Sequence, residues 1–208
     1  MNKFKVTIFI LLAVIFVVFI GLPYATNFIG KNESVSPDNA EKQTLQKGEY
    51  IVGEDIKPGV YDFKVLKGDI TYNSVQLSLG DKVLAQKLTE QEHIVVEGRG
   101  SVELSPAKFD PLTLKNDDQY IIDHSGNYKI GTQIPEGEYT LSYTVKGEKQ
   151  NEKPFIQVLP EIRGDVLESF QFEKKENYNI TLKSNYILEV HKSLFEEYDN
   201  VLIKLSPQ

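Results

Sequence analysis

The sequence predicts an all-β ectodomain: two tandem small antiparallel β-sandwich repeats, jelly-roll-like, behind one N-terminal transmembrane helix. Three observations predict it. An uncharged apolar run opens the chain from Val6 to Leu22, broken only by Thr7 and Gly21. Beyond residue 31, apolar and polar side chains alternate at period two, and helical periodicity is absent apart from one short turn at Lys192–Tyr198. A pattern of Gly and Tyr at residues 48–61 recurs at residues 126–139, the mark of a duplicated unit.

The apolar run comes first. Extended through Pro23, Tyr24 and Ala25 it reaches the roughly 20 residues that a helix needs to cross a hydrocarbon core of about 30 Å. Its Val, Ile and Phe would favour a strand in water. In lipid each backbone group must bond within its own segment, so helix wins. Lys3 and Lys5 precede the run with no acid to balance them, which keeps that end in the cytoplasm and places residue 32 onward outside. The competing reading is a cleaved signal peptide. Its apolar core is usually about 7–15 residues and ends in small residues at the −3 and −1 positions. Here Ala25 would pair with Pro23, or Gly21 with bulky Phe19. The expectation is an uncleaved anchor: residues 1–30 as cytoplasmic stub and signal-anchor helix, the membrane being its partner.

Residues 31–45 are nearly devoid of apolar side chains and rich in charge, Asn, Ser and Pro, the composition of a disordered tether. The triplets at Asn32 and Asn179 match a glycosylation acceptor, a pattern short enough to arise by chance.

The repeat carries the domain reading. Gly48, Tyr50, Gly53, Ile56, Gly59 and Tyr61 return as Gly126, Tyr128, Gly131, Ile134, Gly137 and Tyr139, at an offset of 78 residues. Around these twelve positions the sequence divides into repeat 1 at 46–116, an acidic joint at 117–123 and repeat 2 at 124–208. More loosely, the stretch from Ser74 aligns with that from Phe155, His93 with Asn179, and Asp110 with Asn200. Tyr139, Leu141, Tyr143 and Val145 alternate with Thr140, Ser142, Thr144 and Lys146, as Tyr61, Phe63 and Val65 do with Asp62 and Lys64. That is the period of a half-buried strand. Lys57-Pro58-Gly59-Val60 and Ile134-Pro135-Glu136-Gly137 suit turns in which Gly accepts positive φ. Gly98-Arg99-Gly100 and Lys183-Ser184-Asn185 are expected to be hairpin turns. The tyrosines, with Val, Phe and Leu two residues away, read as core rather than as a ligand platform.

The pattern Y-x-[VI]-G-x-x-I-x-x-G-x-Y resembles a motif of exported or membrane-anchored proteins of Gram-positive bacteria, mostly uncharacterised. The resemblance covers about fourteen residues in each copy. It implies an exported, anchored protein and brings no catalytic residues.

Composition narrows the chemistry. The 208 residues hold 23 basic and 30 acidic side chains for a net charge of −7, and no Cys. Disulfides, thiolate metal sites and a Cys nucleophile are excluded. With Lys3, Lys5 and Lys31 set aside, the remainder stands at −10, which argues against nucleic acid and favours neutral or cationic contacts over bare phosphate polymers. The three histidines, His93, His124 and His191, do not coincide under the 78-residue offset. Asp123-His124-Ser125 contains triad letters, but consecutive residues do not form a triad. Asn116, Asp117 and Asp118 lack the spacing of a Ca²⁺ loop. No catalytic, cofactor or metal residue is therefore expected. The expected function is a membrane-anchored cell-surface protein whose modules bind an envelope polymer or a surface protein. An exported carboxylate-dependent enzyme acting on wall polymers, or a regulatory subunit of a membrane complex, is the alternative. Binding is expected at loops, through Arg99, Asn116, Asp117, Asp118, Lys183 and Asn185, because loops on a rigid sandwich vary freely.

Overall fold

The alternating residues do form strands. The computed structural model describes residues 39–115, 118–145, 153–172, 177–193 and 201–208. Among them are fourteen strands and no α-helix. The first half contains β1 (Gln43–Ile51), β2 (Gly59–Lys67), β3 (Ile70–Tyr72), β4 (Val75–Leu77), β5 (Lys82–Leu88) and β6 (His93–Pro106). The second contains β7 (Tyr120–Ile122), β8 (Ser125–Lys129), β9 (Gly137–Val145), β10 (Phe155–Leu159), β11 (Glu168–Gln171), β12 (Asn177–Leu182), β13 (Ile187–His191) and β14 (Val201–Pro207). The expected transmembrane helix and most of the expected tether lie outside the described residues. Among the described ones no helix is long and apolar enough to cross a membrane.

In the second half, β12-β9-β14-β7 form one sheet and β8-β13-β10-β11 run side by side in the other. Tyr128, Leu141, Ile156, Leu188 and Ile203 lie in their shared core. The first half achieves the same pairing with fewer, longer strands. Residues 43–46 of β1 and 101–104 of β6 pair with each other, and β2 and β5 continue that side. Residues 48–51 of β1 pair with residues 93–96 of β6, which continue into β3 and β4. The registers coincide between halves. Tyr61 faces Pro106 as Tyr139 faces Pro207, and Gly59 faces Leu88 as Gly137 faces Leu182. Tyr50 faces Ile94 as Tyr128 faces Leu188.

The recurring Gly/Tyr segment folds alike in both places. Val52 bridges Ile56 and Ile130 bridges Ile134. The amide of Gly53 donates to the Ile56 carbonyl, and that of Gly131 to the Ile134 carbonyl, both at 2.7 Å. All four motif tyrosines donate to the carbonyl four residues back: Tyr50 to Gln46 at 3.0 Å, Tyr61 to Lys57 at 2.8 Å, Tyr128 to His124 at 2.7 Å and Tyr139 to Pro135 at 2.9 Å. Each ring thus fills the core or its margin while its hydroxyl pins the chain that leads into the strand.

Several sequence expectations need correction. The first strand starts at Gln43, inside the stretch expected to be tether, because Ala40 and Leu45 bury their side chains in the first core. The tight turn lies at 53–55, with φ 97° at Gly53, and Gly59 already belongs to β2 without positive φ. The loose alignments shift too. By pairing, the partner of the His93 stretch is β13 rather than the strand at Asn179, whose own counterpart is β5. Gly98-Arg99-Gly100 is not a hairpin. It is a corner within β6, which stays paired with β1 on both sides. A Cβ on Gly98, at φ 95°, would stand 2.5 Å from the Asp69 carbonyl oxygen, so glycine lets β6 fold over the edge of the core without reversing.

Candidate functional site

The halves are joined through the backbone. β5 and β8 pair in parallel, Val83 with Ser125 and Leu84 with Gly126, so one sheet runs through both halves of the unit Val35–Gln208. Gly126, at φ 136°, makes that approach feasible: a Cβ would lie 2.5 Å from the Leu84 nitrogen and closer still to its carbonyl oxygen. Asn127 donates from Nδ2 to the Ala85 carbonyl at 3.0 Å. Asp62 accepts from the amides of Ala85 at 2.9 Å and Lys108 at 3.1 Å. Burial pushes the Asp62 carboxyl above the usual carboxylate range, despite those bonds and the nearby charges of Lys82 and Lys108. Val60, Ala85 and Ala107 form a small apolar plug here, with Phe109 and Ile162 against it.

A cleft of about 250 Å³ opens along this seam. The first half contributes Tyr72, Asn73, Val75, Val83 and Gln86; the second contributes Ser125, Gly126, Glu189, His191 and Ser193. Its lining mixes apolar side chains with a carboxylate, two amides, an imidazole and hydroxyls. His191 Nε2 lies 3.6 Å from the Glu189 carboxylate, and its ring stacks on Phe155 with centroids 6.1 Å apart. Ser125 Oγ accepts the Lys192 amide at 3.0 Å, and the fully buried Lys192 reaches the Asp123 carbonyl with Nζ at 2.6 Å. Burial pushes the Tyr72 phenol up, so it stays a neutral donor at any physiological pH.

Next to Tyr72 the halves are clamped by charge. Arg163 meets the Glu92 carboxylate with both guanidinium nitrogens, at 2.9 and 2.6 Å. Glu92 also accepts from the Thr89 amide at 3.1 Å. Burial alone would raise the Glu92 carboxyl; the bonds from Arg163 and Thr89 outweigh it and hold the carboxyl below its usual range. Arg163 is raised in turn, chiefly by its bonds to Glu92.

The loop residues singled out in the sequence do not line this cleft. Arg99 lies at the β6 corner, where it lines a separate depression with Lys47 and Lys67. Lys183–Asn185 form the turn between β12 and β13. Asn185 there has φ 69° and donates to the Ile130 carbonyl at 3.0 Å. Its counterpart in the first half is Gln91, φ 62°, which donates to the Val52 carbonyl at 3.0 Å, so the turn at Lys183–Asn185 corresponds to Gln91 and not to the corner at Gly98–Gly100. Asp118, φ 53°, donates to the Lys115 carbonyl at 2.9 Å, while Asn116 and Asp117 lie outside the described residues. Asp123 Oδ1 is 3.8 Å from His124 Nε2, beyond hydrogen-bond reach. Among the described residues no three His, Asp or Glu side chains converge to hold a metal ion. Sequence reasoning missed Tyr72, Gln86, Asn127, Arg163 and Glu189. The one signal for the seam was Gly126, a repeat glycine whose conformation its counterpart Gly48 does not share.

No protein-family model matches the chain, and no curated protein matches it.

Proposed function

We propose that this is a membrane-anchored cell-surface protein whose two tandem β-sandwich modules, jelly-roll-like repeats of one unit, bind an envelope component or a surface protein without chemical turnover. The carrying observation is the seam cleft, because both halves supply its walls and the backbone pairing of β5 with β8 holds those walls together. A pre-formed cleft that mixes apolar and polar lining groups suits recognition of a small segment of a larger partner. The Val6–Leu22 run, with Lys3 and Lys5 before it, supports attachment with the modules outside. The loops at Arg99, Asn116–Asp118 and Lys183–Asn185 serve in this reading as peripheral contacts.

The test is protease treatment of intact cells. The reading expects residues 32–208 to be removed while a short membrane-bound stub survives. An intact ectodomain would contradict the topology. A mature N-terminus near residue 26 in the medium would contradict the anchor.

A further inference from the structure

We infer that the β6 corner is an anion site for the phosphate groups of an acidic polymer, distinct from the seam cleft and independent of it. Three cations converge there: Lys47, Lys67 and Arg99 line one depression of about 290 Å³ with Gln46 and Ser101, and no carboxylate is among its lining residues. Their placement follows from the backbone. Lys47 sits at the irregularity of β1 between Gln46 and Gly48, and Lys67 lies just past the irregularity of β2 after Val65. Irregularities of this kind re-aim the side chains they carry. Arg99 stands at the apex of the corner between its two glycines. Two other lysines of this half find acids, Lys42 with Glu103 at 2.9 Å and Lys57 with Glu41 at 2.5 Å; what sets Lys47, Lys67 and Arg99 apart is that they share one depression. The side chains of Lys47, Lys67 and Arg99 make no such pair with another described residue. Like charges brought together without a counter-charge repel one another, and an oxyanion between them relieves that repulsion.

The net charge of −10 beyond residue 31 does not oppose this. At physiological salt the Debye length is about 8 Å, so acids elsewhere on the surface are largely screened at the corner. The described chain begins against the other end of β2, where Glu41 donates its amide to Tyr61 and Ala40 packs on Gly59. The corner lies past Lys67, eight residues along the strand from Gly59, or about 26 Å away at roughly 3.3 Å per residue. The corner thus lies at the opposite end of β2 from residues 39–42, and the vesicle arm of the experiment below separates a polymer phosphate from a lipid headgroup.

The experiment uses the full chain in zwitterionic micelles with inorganic polyphosphate as the probe. Saturable binding is expected. It should weaken at least tenfold in the variant Lys47→Gln/Lys67→Gln/Arg99→Gln and stay within twofold in a control of equal charge, Lys64→Gln/Lys108→Gln/Lys129→Gln. If the corner variant does not fold, acetylation footprinting of the unaltered chain decides: polyphosphate should protect Lys47 and Lys67 and leave Lys108 and Lys129 reactive. Equal weakening in both variants, protection elsewhere, or no binding would overturn the site. Binding to anionic phospholipid vesicles with polyphosphate inert would overturn the polymer as its ligand.

Discussion

Replacing Gly126 with alanine should loosen the seam, and the structure sets the size of the effect. A residue with a Cβ held at φ 136° is strained, at a cost of about 1–3 kcal/mol. The added atom would also meet the Leu84 backbone at 2.5 Å or less, so β8 must move away from β5. Two contributions of about 1 kcal/mol each then weaken: the backbone pairing at Leu84 and the bond from Asn127 to Ala85. The total is about 3–5 kcal/mol. For a unit of this size about 1 kcal/mol shifts Tm by 2–4 °C, so a fall of about 6–20 °C is expected. Gly48 is the matched control. It occupies the same repeat position without positive φ, and a Cβ there meets only the tip of the Tyr50 ring at 3.3 Å. Gly48→Ala should cost under about 1 kcal/mol, no more than an ordinary surface change. Scanning calorimetry of the full chain reads both. A single transition for the unaltered protein, lowered or split in two by Gly126→Ala, is the expected result. The reasoning is refuted if both alanine variants melt alike or Gly126→Ala melts within 2 °C of the parent.

Other perturbations follow from the same geometry. Tyr139→Phe removes one hydroxyl-to-carbonyl bond from a filled core position, and Tyr61→Phe removes its bond to Lys57 together with the one it accepts from the Glu41 amide, so each should lower stability by about 1–2 kcal/mol in denaturant titration; no change in either would remove the pinning role. Gly59→Val drives a Cβ to 2.8 Å from that of Ala40 and should cost about 1–3 kcal/mol, visible as a lower Tm; an unchanged melt would show that residues 39–42 are not docked. Glu92 and Asp62 act oppositely on acidification. The Glu92 carboxyl is held low by Arg163, so its stabilising contribution is full at neutral pH and lost as pH falls through its depressed value. Asp62 is raised by burial, so the folded state gains as pH falls through that raised value. Stability should rise slightly on mild acidification and then drop, and Glu92→Gln should flatten the drop at a cost of about 1 kcal/mol at pH 7; an unaltered acid limb in that variant would refute the assignment.

The strand content was legible because side-chain alternation is a local property. Tyr139 and Leu141 are buried and Thr140 is not, as their period requires. The motif positions were legible because each tyrosine finds its partner four residues away. The seam was not, since β5 and β8 touch over two residue pairs far apart in sequence and leave no periodicity to read. The β6 corner was misjudged for a related reason. Gly-Arg-Gly between apolar runs signals a chain reversal, and only the continued pairing of β1 on both sides shows that the strand bends instead. The cleft residues Tyr72, Gln86 and Glu189 belong to three separate strands, so nothing in their sequence neighbourhoods could group them.

The central claim, that the seam cleft binds an envelope component, is tested most directly by measuring how much full-length protein is retained on purified envelope when the cleft is altered. Val75→Trp fills the cleft from its edge strand, and Glu189→Gln neutralises its carboxylate while keeping its shape. The account predicts that retention falls at least tenfold in both variants with Tm within a few degrees of the parent. Retention equal to the parent in both, by proteins that remain folded, would contradict it.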